Sequence, residues 1–384
     1  MAVGEKNPIY LDHNATTPVD PEVSEAILPW LREDFGNPSS SHSYGRRAKA
    51  AVDHAREQVS GLLGCRPEEI FFTSCGTESN NLALLGVSEA ITGNRKGIVT
   101  SAVEHPSVAR PCERLQKKDW NVLRLPVDAQ GAVFEEDLGH RIDTNTALLT
   151  VMHGNNETGT VMPVRRLTEA ARGKGALVHT DAAQSAGKIR VRVDELGVDL
   201  LSVAGHKVYA PKGIGALYVR RGTPIEPVLF GAGHEGGLRP GTENVPYIVG
   251  LGRACEIAAG RLTEDAERIT ALRDLFWDLL RTEISGIRLN GHPTERLPNT
   301  LNVSFPGVRG GDLLAAAETI AASTGSACHE GGGTPSEVLL AMGLDPDTAM
   351  GSVRLSLGRW TTDAQVREAA QALIHAWGSL YWPK

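Results

Sequence analysis

A chain of 384 residues, 41% hydrophobic and 22% charged, is long enough for more than one packed core and too apolar to stay disordered. Its formal charge of -7 and pI near 6.0 give no electrostatic pull toward nucleic acid or an anionic membrane, so small molecules and proteins are the expected partners. The five cysteines are scattered without CxxC pairs, which suggests neither a disulfide framework nor a zinc site, and no metal is expected.

The opening segment MAVGEKNPIYLDHNATT lacks the basic, apolar and small-residue succession of a secretory signal. Apolar runs fall far short of the ~20 residues that a bilayer helix needs. A soluble, cytoplasmic protein is expected, with no membrane association and no direct nucleic acid contact. Across 46–63, Ala48, Val52, Ala55, Val59 and Leu62 recur at three- and four-residue spacing, which predicts an amphipathic helix. Short apolar runs at 70–72, 97–101, 147–152, 176–181, 200–204 and 215–220 read as buried strands with helical stretches between them. That alternation predicts an α/β fold with a mostly parallel sheet covered by helices, and a site where polar residues gather at the carboxyl ends of the strands.

From about 246 a long helical stretch runs to roughly 284, and a smaller α/β pattern follows with strands near 299–305 and 352–357. The expected division is a large domain over 15–260 and a small domain made of 1–14 and 261–384. The Gly-rich run 230–244 suits a loop near a ligand or a subunit contact, and equally an ordinary surface loop.

The chemistry gathers at the ends of the predicted strands. VHTDAAQSAGK (178–188) finishes a strand with Asp181 and places Gln184 in the next turn, while LLSVAGHK (200–207) finishes another with His206 and Lys207. A lone strand-end Asp is usually a cap and a lone Lys is usually solvated. Together they match a pyridoxal-phosphate (PLP) enzyme, which needs a lysine for the Schiff base and a carboxylate to keep the pyridine nitrogen protonated. FFTSCGTESNNLALL (71–85) offers Gly76 and Thr77 at a helix start that can face an anion, although Thr77 also suits a simple cap. In EHPSV (104–108), His105 reads either as a stacking partner for the ring or as a satisfied loop histidine.

YLDHNATTPVDP, GNPSSSHSYGRRA, FTSCGTESNN, EHPSV, MHGNNETGT, HTDAAQSAGK, GHKVYAPKGIGALYVR, RPGTENVP, STGSACHE and SVRLSLGR follow in order along nearly the whole chain. These segments resemble the cysteine desulfurases of the NifS/IscS kind, within the fold-type I (class V aminotransferase) PLP enzymes. The resemblance implies a PLP-dependent transferase fold with a large domain and a smaller C-terminal α/β domain. It implies that Lys207 carries the cofactor, Asp181 meets the pyridine nitrogen, Gln184 bonds the ring hydroxyl, and His105 stacks on the ring and helps to move protons. Gly76, Thr77 and His206 would hold the phosphate, reached also by Thr242 from the partner subunit of a homodimer. Asn156, among the cofactor contacts, would bind the substrate carboxylate together with Arg354. Cys328 in STGSACHE would be the nucleophile, on a loop that is similar to the IscS-like rather than the SufS-like group.

The implied activity turns L-cysteine into L-alanine, leaves a persulfide on Cys328 and passes sulfur to an acceptor protein serving iron-sulfur clusters, tRNA thiolation or DNA phosphorothioation. Two other readings stand beside it: a selenocysteine lyase or other class V PLP enzyme in which Cys328 is dispensable, and a non-catalytic adaptor on the same fold. The chain departs from its relatives at Ala204, where many carry a serine, and at Gly236 and Pro240, where Arg and Ser are common. Weaker phosphate binding is the expected consequence.

Overall fold

The computed structural model describes residues 7–134, 141–325 and 334–381. The N-terminal strand β1 (Ile9–Tyr10) leads into helix α1 (Pro21–Arg32), where the Asp20 carboxylate caps the Glu22 N–H at 3.0 Å and Pro21 occupies the first turn. Helix α2 (Ser43–Leu63) buries Ala48, Val52, Ala55, Val59 and Leu62 as their spacing predicts, and stops at Gly64, whose left-handed φ of 69° suits glycine.

The central sheet comprises β2 (Ile70–Thr73), β3 (Gly97–Ser101), β4 (Asn121–Leu125), β5 (Thr146–Thr150), β6 (Leu177–Asp181), β7 (Leu200–Ala204) and β8 (Gly215–Val219). Among the described residues it has seven strands in the order β2-β8-β7-β6-β5-β3-β4. The strands from β4 to β7 run parallel, and β8 is antiparallel to both of its neighbours. Successive side chains on a strand point to opposite faces. Ile98, Leu148, Leu200 and Leu217 therefore pack under helices α3 (Gly76–Ala90) and α4 (Pro106–Gln116). Val99, Leu149, Val178 and Leu201 pack on the other face, with α2, with α5 (Val164–Arg172) and with the first turns of α6 (Val245–Glu283). Both faces of the sheet are covered.

Helix α6 runs for 39 residues and carries the chain into a second cluster, where Phe276 and Leu280 meet Leu301, Val303, Val353, Leu355 and Leu373. There β9 (Arg288–Asn290), β10 (Thr300–Ser304) and β12 (Ser352–Ser356) form an antiparallel sheet, backed by helix α7 (Asp363–Leu380). A short strand β11 (Ile320–Ala321) pairs in parallel with β1. Val338, Leu339, Met342, Leu344 and Ala349 return to the larger cluster.

The N-terminal segment stitches the two clusters together. Ile9 pairs with Ile320, Asp12 bridges Ser356, the Asn14 N–H donates to Ser356 Oγ at 2.9 Å, and the Thr17 N–H donates to the His206 carbonyl at 2.9 Å. The predicted strand 147–152 is a strand over Thr146–Thr150, and beyond it the Val151 and His153 N–H groups still donate to the β6 carbonyls of His179 and Asp181. Strand β4, with its sequence NVLRL at the sheet edge, was not among the predicted runs. No helix among the described residues is long and apolar enough to cross a membrane.

Candidate active site

The carboxyl ends of the parallel strands open onto one cleft of about 270 Å³. β6 ends on Asp181, and β7 ends on Ala204 and runs into the tight turn Gly205–Lys207. β2 gives way to α3 at Gly76, and β3 leads to His105, the cap of α4. Nine of the residues that the sequence singles out line this cleft: Gly76, Thr77, His105, Asn156, Asp181, Gln184, His206, Lys207 and Arg354. Thr242 does not; it is exposed on a separate hollow with Ser74 and Arg239. Cys328 lies outside the described residues. The chain on either side of its segment meets at the cleft wall, where Ser336 Oγ donates to Glu157 Oε2 and a Cβ on Gly325 would come within 2.9 Å of the same oxygen.

Within the cleft several polar groups have defined partners. Lys207 Nζ donates to the backbone carbonyl of Asn14 and, at 2.6 Å, to that of Ala15. The Asp181 carboxylate accepts from Asn80 Nδ2 at 2.7 Å and from the Ala183 N–H at 2.9 Å. Gln184 Nε2 donates to the Asn14 carbonyl at 3.0 Å, while its Oε1 accepts from Lys188 Nζ at 2.9 Å. Arg354 is 2% exposed; its guanidinium donates to Asp12 Oδ1 at 2.8 Å and to the Asn156 carbonyl at 3.0 Å, while Nε is buried without a partner among the described residues. The fork expected for a carboxylate is thus already oriented by Asp12, with N–H groups still to spare.

Burial and the cationic neighbours Lys207, Lys212 and Lys188 push His206 down to about 4, so its ring is neutral. Its Nδ1 stands 3.1 Å from Thr16 Oγ1. Burial, with Lys207 and Arg354 nearby, also pushes Lys188 down to about 7. Glu104, beside His105, moves up to about 8 because burial outweighs the hydrogen bonds from Ser101 and the Met152 N–H.

PLP fits this donor set on three counts. The first amides of an α-helix have no intrahelical acceptor and favour an anion. Those of α3 open on the cleft beside Gly76 and Ala204, and a Cβ placed on Gly76 would crowd Ala204 Cβ at 3.0 Å, so the glycine keeps the helix start uncovered by a side chain. The Asp181 carboxylate is held by two donors at the base of the cleft, and an amine, Lys207, reaches into it.

Asn14, Asn80, Glu104, Ser107 and Lys188 belong to the site or its immediate support and were not singled out from sequence. Asn14 connects the most partners. Its carbonyl holds Lys207 and Gln184, and its side-chain nitrogen donates to Thr300 Oγ1 at 2.8 Å and to the Asn156 carbonyl at 3.2 Å. No local pattern marks it, although it sits within YLDHNATTPVDP.

Comparison with known proteins agrees with this geometry. The class-V aminotransferase model matches residues 9–368. A protein of Dictyoglomus turgidum named cysteine desulfurase IscS is 46% identical over 359 residues, which cover 93% of this chain and 91% of that one. Among solved structures, a NifS-like protein superposes with a TM-score of 0.90 at 39% identity, covering 96% of this chain and 98% of its own. SspA in complex with cysteine superposes with a TM-score of 0.81 at 36% identity, covering 92% and 99%. With the sequence motifs, the fold and the cleft in agreement, the chain belongs to the class-V aminotransferase family, in its cysteine desulfurase branch.

Proposed function

We propose that the protein is a PLP-dependent cysteine desulfurase that converts L-cysteine to L-alanine and donates the sulfur, through a persulfide on Cys328, to an acceptor protein. The observation that carries this reading is the convergence of Lys207, Asp181 and Arg354 on one cleft, with the chain flanking Cys328 held against Glu157 in its wall. In this reading α3, with Gly76 and Thr77, and the neutral His206 hold the phosphate. Asp181 faces the pyridine nitrogen, Gln184 the ring hydroxyl and His105 the ring face. When bound, the cofactor supplies an electron sink that weakens the bonds around the substrate α-carbon. Arg354 and Asn156 orient the cysteine carboxylate, and the Lys207 amine exchanges protons with the substrate. A thiolate of Cys328 then forms a bond to the substrate sulfur as the carbon–sulfur bond breaks. The electron pair stays on the carbon fragment, which becomes alanine on protonation.

The functional assembly is a cytoplasmic homodimer in which Thr242 completes the partner's phosphate site. The two-unit division, 15–260 against 1–14 with 261–384, places the cleft where the units meet. Light scattering under assay conditions tests the dimer, and an active monomer would refute it. The central test adds L-cysteine to the purified yellow protein and measures alanine and sulfide with and without a reductant. Lys207→Ala should lose both colour and turnover. Cys328→Ser should keep the colour and its change on adding cysteine, yet yield neither alanine nor a persulfide adduct by mass spectrometry. Wild-type release of both products by Cys328→Ser would favour a selenocysteine-lyase type of chemistry.

A further inference from the structure

Behind the cleft, two buried side chains connect the residue assigned to the ring face with the one assigned to the pyridine nitrogen. Asn80 on α3 is 1% exposed and Ser107, in the first turn of α4, is 7% exposed. Asn80 Nδ2 lies 2.7 Å from Asp181 Oδ2 and 2.8 Å from Ser107 Oγ. Ser107 Oγ in turn lies 2.7 Å from His105 Nδ1, and the Ser107 backbone N–H donates to that same nitrogen at 3.1 Å.

The directions of these bonds follow from the groups at the two ends of the chain. A carboxylate only accepts, so Asn80 turns its nitrogen to Asp181 and leaves its own Oδ1 buried without a partner. The second hydrogen on that nitrogen goes to Ser107 Oγ. At the other end the α4 amide makes Nδ1 an acceptor, so the serine hydroxyl directs its hydrogen to His105 Nδ1. His105 is also the N-cap of α4, and a cap must accept from the helix amide, here that of Ser107. Nδ1 thus receives two donors and has no place for a proton.

We propose that Asn80 and Ser107 are positioning residues that hold His105 in the tautomer with its proton on Nε2, so that His105 serves the cleft as a hydrogen-bond donor and leaves proton removal from bound cysteine to the Lys207 amine. A cation on this ring is opposed from several sides. Burial and Lys207 lower its proton affinity, with Asp181 the one counterweight among its charged neighbours, and the amides at the start of α4 disfavour positive charge. The assignment rests on the reading of the cleft given above, but it is measured without turnover.

The test is nitrogen NMR on holoenzyme labelled in histidine, with the His105 signals identified by their loss in His105→Gln. The expected result is the Nε2–H tautomer of a neutral ring throughout neutral pH. A ring protonated on Nδ1, or one that titrates through neutral pH, overturns the proposal. Ser107→Ala removes one of the two donors and should raise the pH at which His105 gains a second proton by about half to one unit, while Ser107→Thr should restore it. Nitrogen shifts unchanged in a folded Ser107→Ala protein would also overturn it. An inactive enzyme with the expected tautomer would count against the desulfurase reading and not against this one.

Discussion

Ala204 and Lys188 show how much single side chains set in this cleft. Ala204 faces the start of α3 with a methyl group where many relatives carry a hydroxyl, and only a glycine fits opposite it. Ala204→Ser should tighten cofactor binding several-fold, as one added hydrogen bond of about 1 kcal/mol predicts, measured by fluorescence titration of the apoprotein. An unchanged or weaker affinity would show that the phosphate does not lie there. Lys188 contacts Gln184 Oε1 at 2.9 Å and Asn14 Oδ1 at 3.4 Å, so together with the Asn14 carbonyl, which accepts from Nε2, it fixes the orientation of the Gln184 amide. Lys188→Met leaves the Asn14 carbonyl alone to hold that amide. The visible absorption band of the holoenzyme should shift and cofactor retention on dialysis should fall, with global stability within about 1 kcal/mol of wild type because the lost cation was disfavoured by burial and by Lys207 and Arg354. Lys207 and Asp181 were legible in the sequence because they end apolar runs, a local signal. Asn80 was not, for its meaning lies in contacts to Ser107 and Asp181, 27 and 101 residues away.

At the level of elements, the Gly-rich run resolves into a braced loop. Glu235 adopts a positive φ of 47°, and its side chain is 2% exposed. The carboxylate accepts two bonds from Arg56 on α2, at 2.7 and 2.8 Å, and one from the Phe72 N–H of β2 at 2.9 Å. Arg56→Met would leave that carboxylate buried and uncompensated, at a cost of about 3–5 kcal/mol, and Arg56→Met with Glu235→Gln should recover most of it. Urea unfolding of both variants checks this; equal stabilities would refute the brace. Helix and strand periodicity read correctly where one face is buried, as in α2. It failed at β4, an edge strand whose pattern Asn-Val-Leu-Arg-Leu is exposed at both Asn121 and Arg124 and carries little alternation. The reversal of β8 follows from the connection after β7, residues 205–214, which is too short for the crossover that parallel pairing requires.

For the whole molecule, acid is the expected weakness. His13, His153 and His179 are buried and pushed down to about 4, about 4 and about 3, chiefly by burial. A folded value below the unfolded one, near 6.5, means that each contributes stability present above about pH 6.5 and lost as pH falls toward the folded value. Each loss runs at about 1.4 kcal/mol per pH unit. Glu104, raised to about 8, works in the opposite direction down to its unfolded value near 4.5, at the same slope. The net loss between pH 6.5 and 4.5 is therefore about two such slopes, and His206, partly buried and also pushed down to about 4, adds to it, readable as a falling urea midpoint in the apoprotein. A flat midpoint over that window would refute it, and His153→Gln should lessen the slope.

The stitch made by the first residues also sets a schedule. Asn14, whose carbonyl seats Lys207 and Gln184, is itself fixed by a hydrogen bond to Ser356, 342 residues later, and Asp12 reaches Arg354 across the same interval. Ribosomes add roughly 5–20 residues per second, so the earliest part of the site waits roughly twenty to seventy seconds for the strand that anchors it. Helices and parallel strands of the large unit can form on the nascent chain in that time, but a competent cleft cannot. Cofactor loading is then an event of the finished polypeptide, and truncated chains released early carry no partly working site.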